Sequence, residues 1–174
     1  MKSLRAPFCL AVLVPAFALW AALPAAGAII YLEANLDGLQ EVPANASPGT
    51  GYGTMSYDTV SKLLSWSIDY TGLITGSIDA HFHKAPPGVS GGVQVAIPGS
   101  VGTTSGTYVG SKVLTGAQET DLLAHLWYVN IHTPTFPGGE IRGQVVPEPS
   151  TLALVTLGAA SLSFVAWRRR RRGR

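Results

Sequence analysis

The chain is 174 residues long with a formal net charge of +2, and that charge averages three regions of different character. Residues 1–28 carry Lys2 and Arg5 and no acid, residues 148–174 carry Glu148 against six arginines, and the segment between them therefore sums to −5. Nucleic-acid binding needs its cations on the folded part, so a middle segment with Lys62, Lys84, Lys112 and Arg142 against nine acids excludes that class.

Residues 1–28 read as a secretory signal peptide: a basic stub, an apolar run over 7–23, and the small-x-small exit Ala26-Gly27-Ala28. Cys9, the one cysteine, falls in the removed part, so the domain leaves the cytoplasm without a disulfide and depends on packing. Residues 29–146 have the length of one domain with one core.

That domain reads as strands. Ile30, Leu32, Ala34 and Leu36 alternate with Tyr31, Glu33 and Asn35, and Leu64, Trp66, Ile68 and Tyr70 alternate with Ser65, Ser67 and Asp69. Ile78, Ala80 and Phe82 alternate with Ser77, Asp79, His81 and His83, and 93–97, 103–109, 127–132 and 140–145 are further strands between Gly, Pro and Asp clusters. One helix interrupts them, begun by a capping box of Thr115 and Gln118 and carrying Leu122, Leu123 and Leu126 as its apolar stripe. The expectation is an all-β antiparallel two-sheet sandwich, Greek-key-like with a flattened barrel as the alternative, and one short helix.

Residues 147–174 read as an anchor. Pro147, Glu148 and Pro149 precede an uncharged apolar stretch over 151–167, which as a helix is about 26 Å long and close to the hydrocarbon thickness of a bilayer. Arg168, Arg169, Arg170, Arg171 and Arg172 then act as a cytoplasmic transmembrane stop, leaving the domain outside.

The residues with chemical content are histidines. His81 and His83 leave the same face of their strand, a metal-ligand spacing. His132 shares the polar face of its own strand with Asn130 and Tyr128. If the two strands are neighbours, three imidazoles converge on a copper or zinc site with an open position. Otherwise these residues are the solvated face of a half-exposed sheet. Asp79 either orients an imidazole or decorates the surface. His125, late in the helix, reads as a solvated cation, and Glu140 with Arg142 as an exposed structural pair. Tyr31, Tyr52, Tyr57 and Tyr128 are candidate aromatics for a polysaccharide surface, and each is equally a candidate for the core. Nucleophilic catalysis finds no support, since the mature part has no cysteine nucleophile and no Gly-x-Ser-x-Gly elbow.

Two resemblances bear on these readings. The run Val146-Pro147-Glu148-Pro149-Ser150-Thr151 with its apolar stretch and terminal arginines resembles the PEP-CTERM sorting signal, which implies an exosortase-type processing enzyme and export to the cell envelope or extracellular matrix of an exopolysaccharide-producing bacterium. The stretches 39–43 (Leu-Gln-Glu-Val-Pro), 80–83 (Ala-His-Phe-His), 126–133 and 136–144 resemble the CHRD domain, which implies an extracellular β module. The His-x-His strand is also similar to the copper-ligand strand of copper/zinc superoxide dismutases, but the further histidines and both cysteines of that family are missing. The functional expectation is a non-enzymatic binding or adhesion module, with extracellular polysaccharide or other surface proteins as partners. The alternative is a copper- or zinc-binding protein built on His81, His83 and His132.

Overall fold

The computed structural model describes residues 28–99 and 101–149. The expected signal peptide, apart from Ala28, and the expected membrane segment with Arg168, Arg169, Arg170, Arg171 and Arg172 lie outside the described residues. Among the described residues no helix is long and apolar enough to cross a membrane.

The elements run β1 (Ile29–Asp37), a 3-10 turn (Gly38–Gln40), β2 (Thr50–Asp58), β3 (Leu63–Thr71), β4 (Asp79–Lys84), β5 (Gly92–Ala96), β6 (Gly106–Val113), α1 (Gly116–Leu123), β7 (Trp127–His132), β8 (Ile141–Gln144) and β9 (Val146–Pro147). All pair antiparallel in one sheet ordered β5-β4-β7-β8-β1-β2-β3-β6, with β9 added along β1. The expected pair of separate sheets is thus corrected to one continuous sheet, curled into a nearly closed barrel. The curl is visible in Trp66 of β3 packing edge-on to Phe82 of β4 at 5.2 Å, although four strands lie between them in the sheet. The reason the pattern reads as two layers is the narrow seam: β8 and β1 share one registered pair, Asp37 with Arg142, whereas β1 and β2 share nine.

The inward positions form one core. Leu32, Ala34 and Leu36 from β1, Leu64, Trp66 and Ile68 from β3, Phe82 from β4 and Trp127, Val129 and Ile131 from β7 are all buried in it, and burial of such side chains contributes about 1.5–3 kcal/mol each. The strand β2 has no counterpart in the alternation because two of its inward positions are glycines. Gly53 faces Ile68 and Met55, and a Cβ at Gly51 would meet the Asp69 carbonyl at 2.9 Å. These slots have no room for a larger side chain, so only Met55 and Tyr57 give the inward face of β2 apolar side chains. The strand expected at 103–109 begins later, because 102–104 instead bond to 73–77 through Ser77 N to Thr103 O and Leu73 N to Thr104 O.

The helix has its capping box on Thr115 and Gln118. It ends at Leu123, however, so His125 lies beyond it with φ 58° and its carbonyl accepts from Gln144 Nε2. Gln118 Nε2 bonds to Gln94 O of β5, and Lys84 pairs with Asp121 at 2.8 Å, fastening the helix beside β4 and β5.

The seam supplies a test. A Cβ at Gly143 would meet the Asn35 carbonyl oxygen at 2.5 Å, and backbone cannot yield as a flexible side chain would. Gly143→Ala is expected to destabilise the domain by about 1–3 kcal/mol in chemical denaturation, whereas an unchanged midpoint would show that the seam has slack.

Candidate metal centre

β4 and β7 are neighbours although 42 residues of β5, β6, α1 and their connections separate them, and their register pairs Asp79 with His132, Ala80 with Ile131, His81 with Asn130, Phe82 with Val129 and His83 with Tyr128. With Ala80, Phe82, Val129 and Ile131 turned into the core, the alternation sends His81, His83 and His132 to the opposite face. A register shift against β5 between Phe82 and His83 leaves Gln94 unpaired there, a bulge that adjusts the aim of His83. The three ring centroids lie 5.2–5.6 Å apart. One nitrogen from each ring falls within 4.8 Å of the others, and this is the cluster of potential metal ligands found among the described residues. Drawing them to metal–nitrogen distances of about 2.0–2.1 Å asks each ring to move by less than about 1 Å.

The face is not solvated, which corrects the expectation of a half-exposed polar sheet. His83 and His132 are 8% exposed, Asn130 3% and Tyr128 2%, because the segments 85–91 and 133–139 fold over them. These straps also fix the tautomers. His83 Nδ1 lies 2.9 Å from Gly91 O and His132 Nδ1 lies 3.0 Å from Pro137 O. A carbonyl can only accept, so both Nδ1 atoms carry the proton and both Nε2 atoms are left with a lone pair. On His81 the roles reverse: Nε2 lies 3.1 Å from Asp79 Oδ2, leaving Nδ1 as the lone-pair nitrogen. His81 Nδ1, His83 Nε2 and His132 Nε2 are each buried without a hydrogen-bond partner. Burial holds His83 and His132 below the usual histidine range, in the neutral form a metal requires.

Around this cluster lie groups that the sequence reading placed differently or passed over. Glu140 and Arg142 are not an exposed pair. Glu140 is fully buried and accepts from Ser47 Oγ, Ile74 N and Thr133 Oγ1. The Arg142 guanidinium sits 3.5 Å over the Tyr128 ring and donates to Val89 O and Pro86 O. Tyr128 in turn stacks on His83 with centroids 5.1 Å apart, and its hydroxyl accepts from Gly91 N. Tyr57 is buried as well, so of the four tyrosines only Tyr31 and Tyr52 are exposed. Glu41, unremarked in the sequence beyond its family-like stretch, is 8% exposed, and burial pushes its carboxyl up to about 7. A signal for it existed in the acid set between Gln40 and Val42-Pro43, but nothing local says that such an acid is covered.

The Glu41 carboxyl binds its proton more tightly in the fold than at its ordinary value of 4.5. Its contribution to stability is therefore full below about pH 4.5 and is lost as pH rises through about 7. In the metal-free protein, Glu41→Gln is expected to flatten the fall of Tm across that window, and an unaltered pH profile would show that Glu41 is not desolvated.

The sorting residues are described in part. Pro147 pairs with Leu32 of β1, Glu148 N donates to Tyr31 O at 3.1 Å, and Pro147 and Pro149 are exposed where the chain leaves the barrel. The family model of the PEP-CTERM protein-sorting motif matches residues 145–171; it implies an exported, envelope-associated protein handled by an exosortase-type enzyme. No curated protein and no solved structure matches the chain. The family model of the CHRD domain matches residues 32–145, from Leu32 within β1 to Val145 just after β8, and on that extent the chain belongs to the CHRD-domain family.

Proposed function

We propose that this exported CHRD domain is a transition-metal-binding module, holding one copper or zinc ion on His81 Nδ1, His83 Nε2 and His132 Nε2 with a position open for a further ligand. The observation that carries the reading is the set of three buried, unpartnered ring nitrogens on rings whose other nitrogens are each held by Asp79, Gly91 or Pro137. A buried polar atom without a partner costs about 1–3 kcal/mol; three of them facing one another is an arrangement that a bound cation relieves. The donors are imidazole nitrogens, suited to copper and zinc and poorly suited to magnesium or calcium. The outer contacts to Asp79, Gly91 and Pro137 would orient the ligands and raise their basicity. His125 is the one remaining histidine of the chain, so a second, histidine-bridged metal of the dismutase kind has no ligands to draw on.

A second reading, as an adhesion module for extracellular polysaccharide or other surface proteins, draws on Tyr31 and Tyr52, exposed on a face that also presents Thr54, Ser56, Ser65 and Ser67. Sugar rings stack on aromatic faces and bond to hydroxyls, and this face offers both. The two readings use opposite sides of the barrel and can coexist.

The exported protein, purified without a histidine tag, is expected to bind copper or zinc at one equivalent, and His81→Ala, His83→Ala and His132→Ala each to weaken binding by about tenfold or more. No stoichiometric metal at micromolar concentration, or unchanged binding in all three variants, would return the histidines to a purely structural role.

A further inference from the structure

The residue through which the histidine cluster meets a second buried polar group is Asn130. The register sets it opposite His81 on β4 and opposite Arg142 on β8. Its Nδ2 donates to Gly138 O at 3.3 Å, while its Oδ1 is buried without a partner. Glu41 lies against it, with Oε1 likewise buried and unpartnered. Their adjacency is marked by Gly139: at φ 133° a Cβ there would fall 2.5 Å from both Glu41 Oε1 and Asn130 Nδ2, so glycine alone lets the two approach. Gly138 O takes one of the two Nδ2 hydrogens, and the Asn130 side chain acts as a donor toward the Glu41 carboxyl, favouring its ionised form against the larger effect of burial. Burial outweighs that donor and the attraction of Arg142, so the empty site favours a proton on Glu41.

Loading the histidines changes the balance. A divalent ion on three neutral imidazoles brings two positive charges into a covered face that already holds the Arg142 guanidinium, which is 2% exposed and, among the described residues, has no carboxylate within ion-pair distance. Asp79 offsets one charge from the outer nitrogen of His81. The other ionisable groups on the surrounding elements are occupied: Asp37 bonds to Gln40, Glu140 accepts three hydrogen bonds, and Tyr128 lies beneath Arg142. The straps 85–91 and 133–139 contain no ionisable side chain. Glu41 is what remains, and buried charge is tolerated when it is compensated.

We propose that Glu41 is the counter-charge of the loaded metal centre, protonated when the site is empty and ionised when a divalent ion binds, and so the residue that favours a divalent over a monovalent ion. The inference rests on the metal-binding reading above. The balance is one divalent ion taken up and one proton lost from the Glu41 carboxyl, with no change of oxidation state. The proton has an exit, since a recess of about 200 Å3 lies between Glu41, Arg142, Gln144, Pro87 and Gly88. The carboxyl is poised for this exchange, held near pH 7 by burial working against the attraction of Arg142.

The test is zinc titration calorimetry of the full-length protein and its Glu41→Gln variant in buffers of different ionisation enthalpy, which counts the protons released. At about pH 6.5 the wild type should release up to about one proton more per zinc than Glu41→Gln, and the difference should vanish above about pH 8. At that higher pH, Glu41→Gln should bind zinc about tenfold more weakly while its affinity for a monovalent probe, silver ion, changes less. Equal proton counts and equal zinc affinities would overturn the role of Glu41 while leaving the metal site standing, whereas a wild type that binds no zinc would overturn the site itself. Should Glu41→Gln not fold, the wild type alone decides: its proton count must fall as pH rises through about 7, and a flat count contradicts the proposal.

Discussion

The pairing of β4 with β7 in a single register is the constraint on which the rest of the site depends. Side chains alternate along a strand, so a slip by one residue would exchange the two faces and bury the imidazoles in the core. What forbids the slip is apolar. Ala80 and Phe82 on one strand and Trp127, Val129 and Ile131 on the other belong to one continuous core, and Phe82 touches both Trp66 and Trp127. The arrangement of the three imidazoles is thus fixed by hydrophobic burial on the opposite side of the sheet, which holds their unpartnered nitrogens in place.

The outer face is where the fold departs from an ordinary half-exposed sheet. The segments 85–91 and 133–139 are short, rich in proline and glycine, and free of charge. They contribute carbonyls in place of side chains, and Gly91 O and Pro137 O set the tautomers of His83 and His132. The same cover removes water from Asn130, Arg142 and Glu41, so that desolvation acts with opposite sign on the two kinds of group: it holds His83 and His132 below the usual histidine range and pushes the Glu41 carboxyl up to about 7. Of the buried side-chain polar atoms without a partner, those of Glu41, His81, His83, Asn130 and His132 all belong to this region. An exported domain with no cysteine draws its stability from packing, and its core extends from Leu32 to Val145.

The strands with regular alternation were legible from sequence because each had a filled apolar face: Ile30 to Leu36, Leu64 to Tyr70 and Ala80 to Phe82 all lie where their period places them. So were the capping box at Thr115 and the assignment of all three histidines to the non-core face. The strand β2 was not legible, since Gly51 and Gly53 meet backbone and neighbouring side chains where a larger residue would be expected. Nor was the cover over the outer face. Periodicity reports which residues share a face, and it says nothing of whether a distant loop lies on that face, which is why Glu140 and Arg142 read as surface and are buried. Strand order was open for the same reason, and it is the order β4-β7-β8 that turns a spacing of two histidines into a cluster of three with Glu41 nearby.

In the proposed centre three imidazoles share one ion, and X-ray absorption of the zinc-loaded protein examines that directly. It should show three imidazole nitrogens at about 2.0–2.1 Å with their outer-ring scattering and one further light ligand. A six-coordinate shell of oxygens, or a shell with a single imidazole, would mean that the ion sits elsewhere and that the convergence of His81, His83 and His132 has no part in holding it.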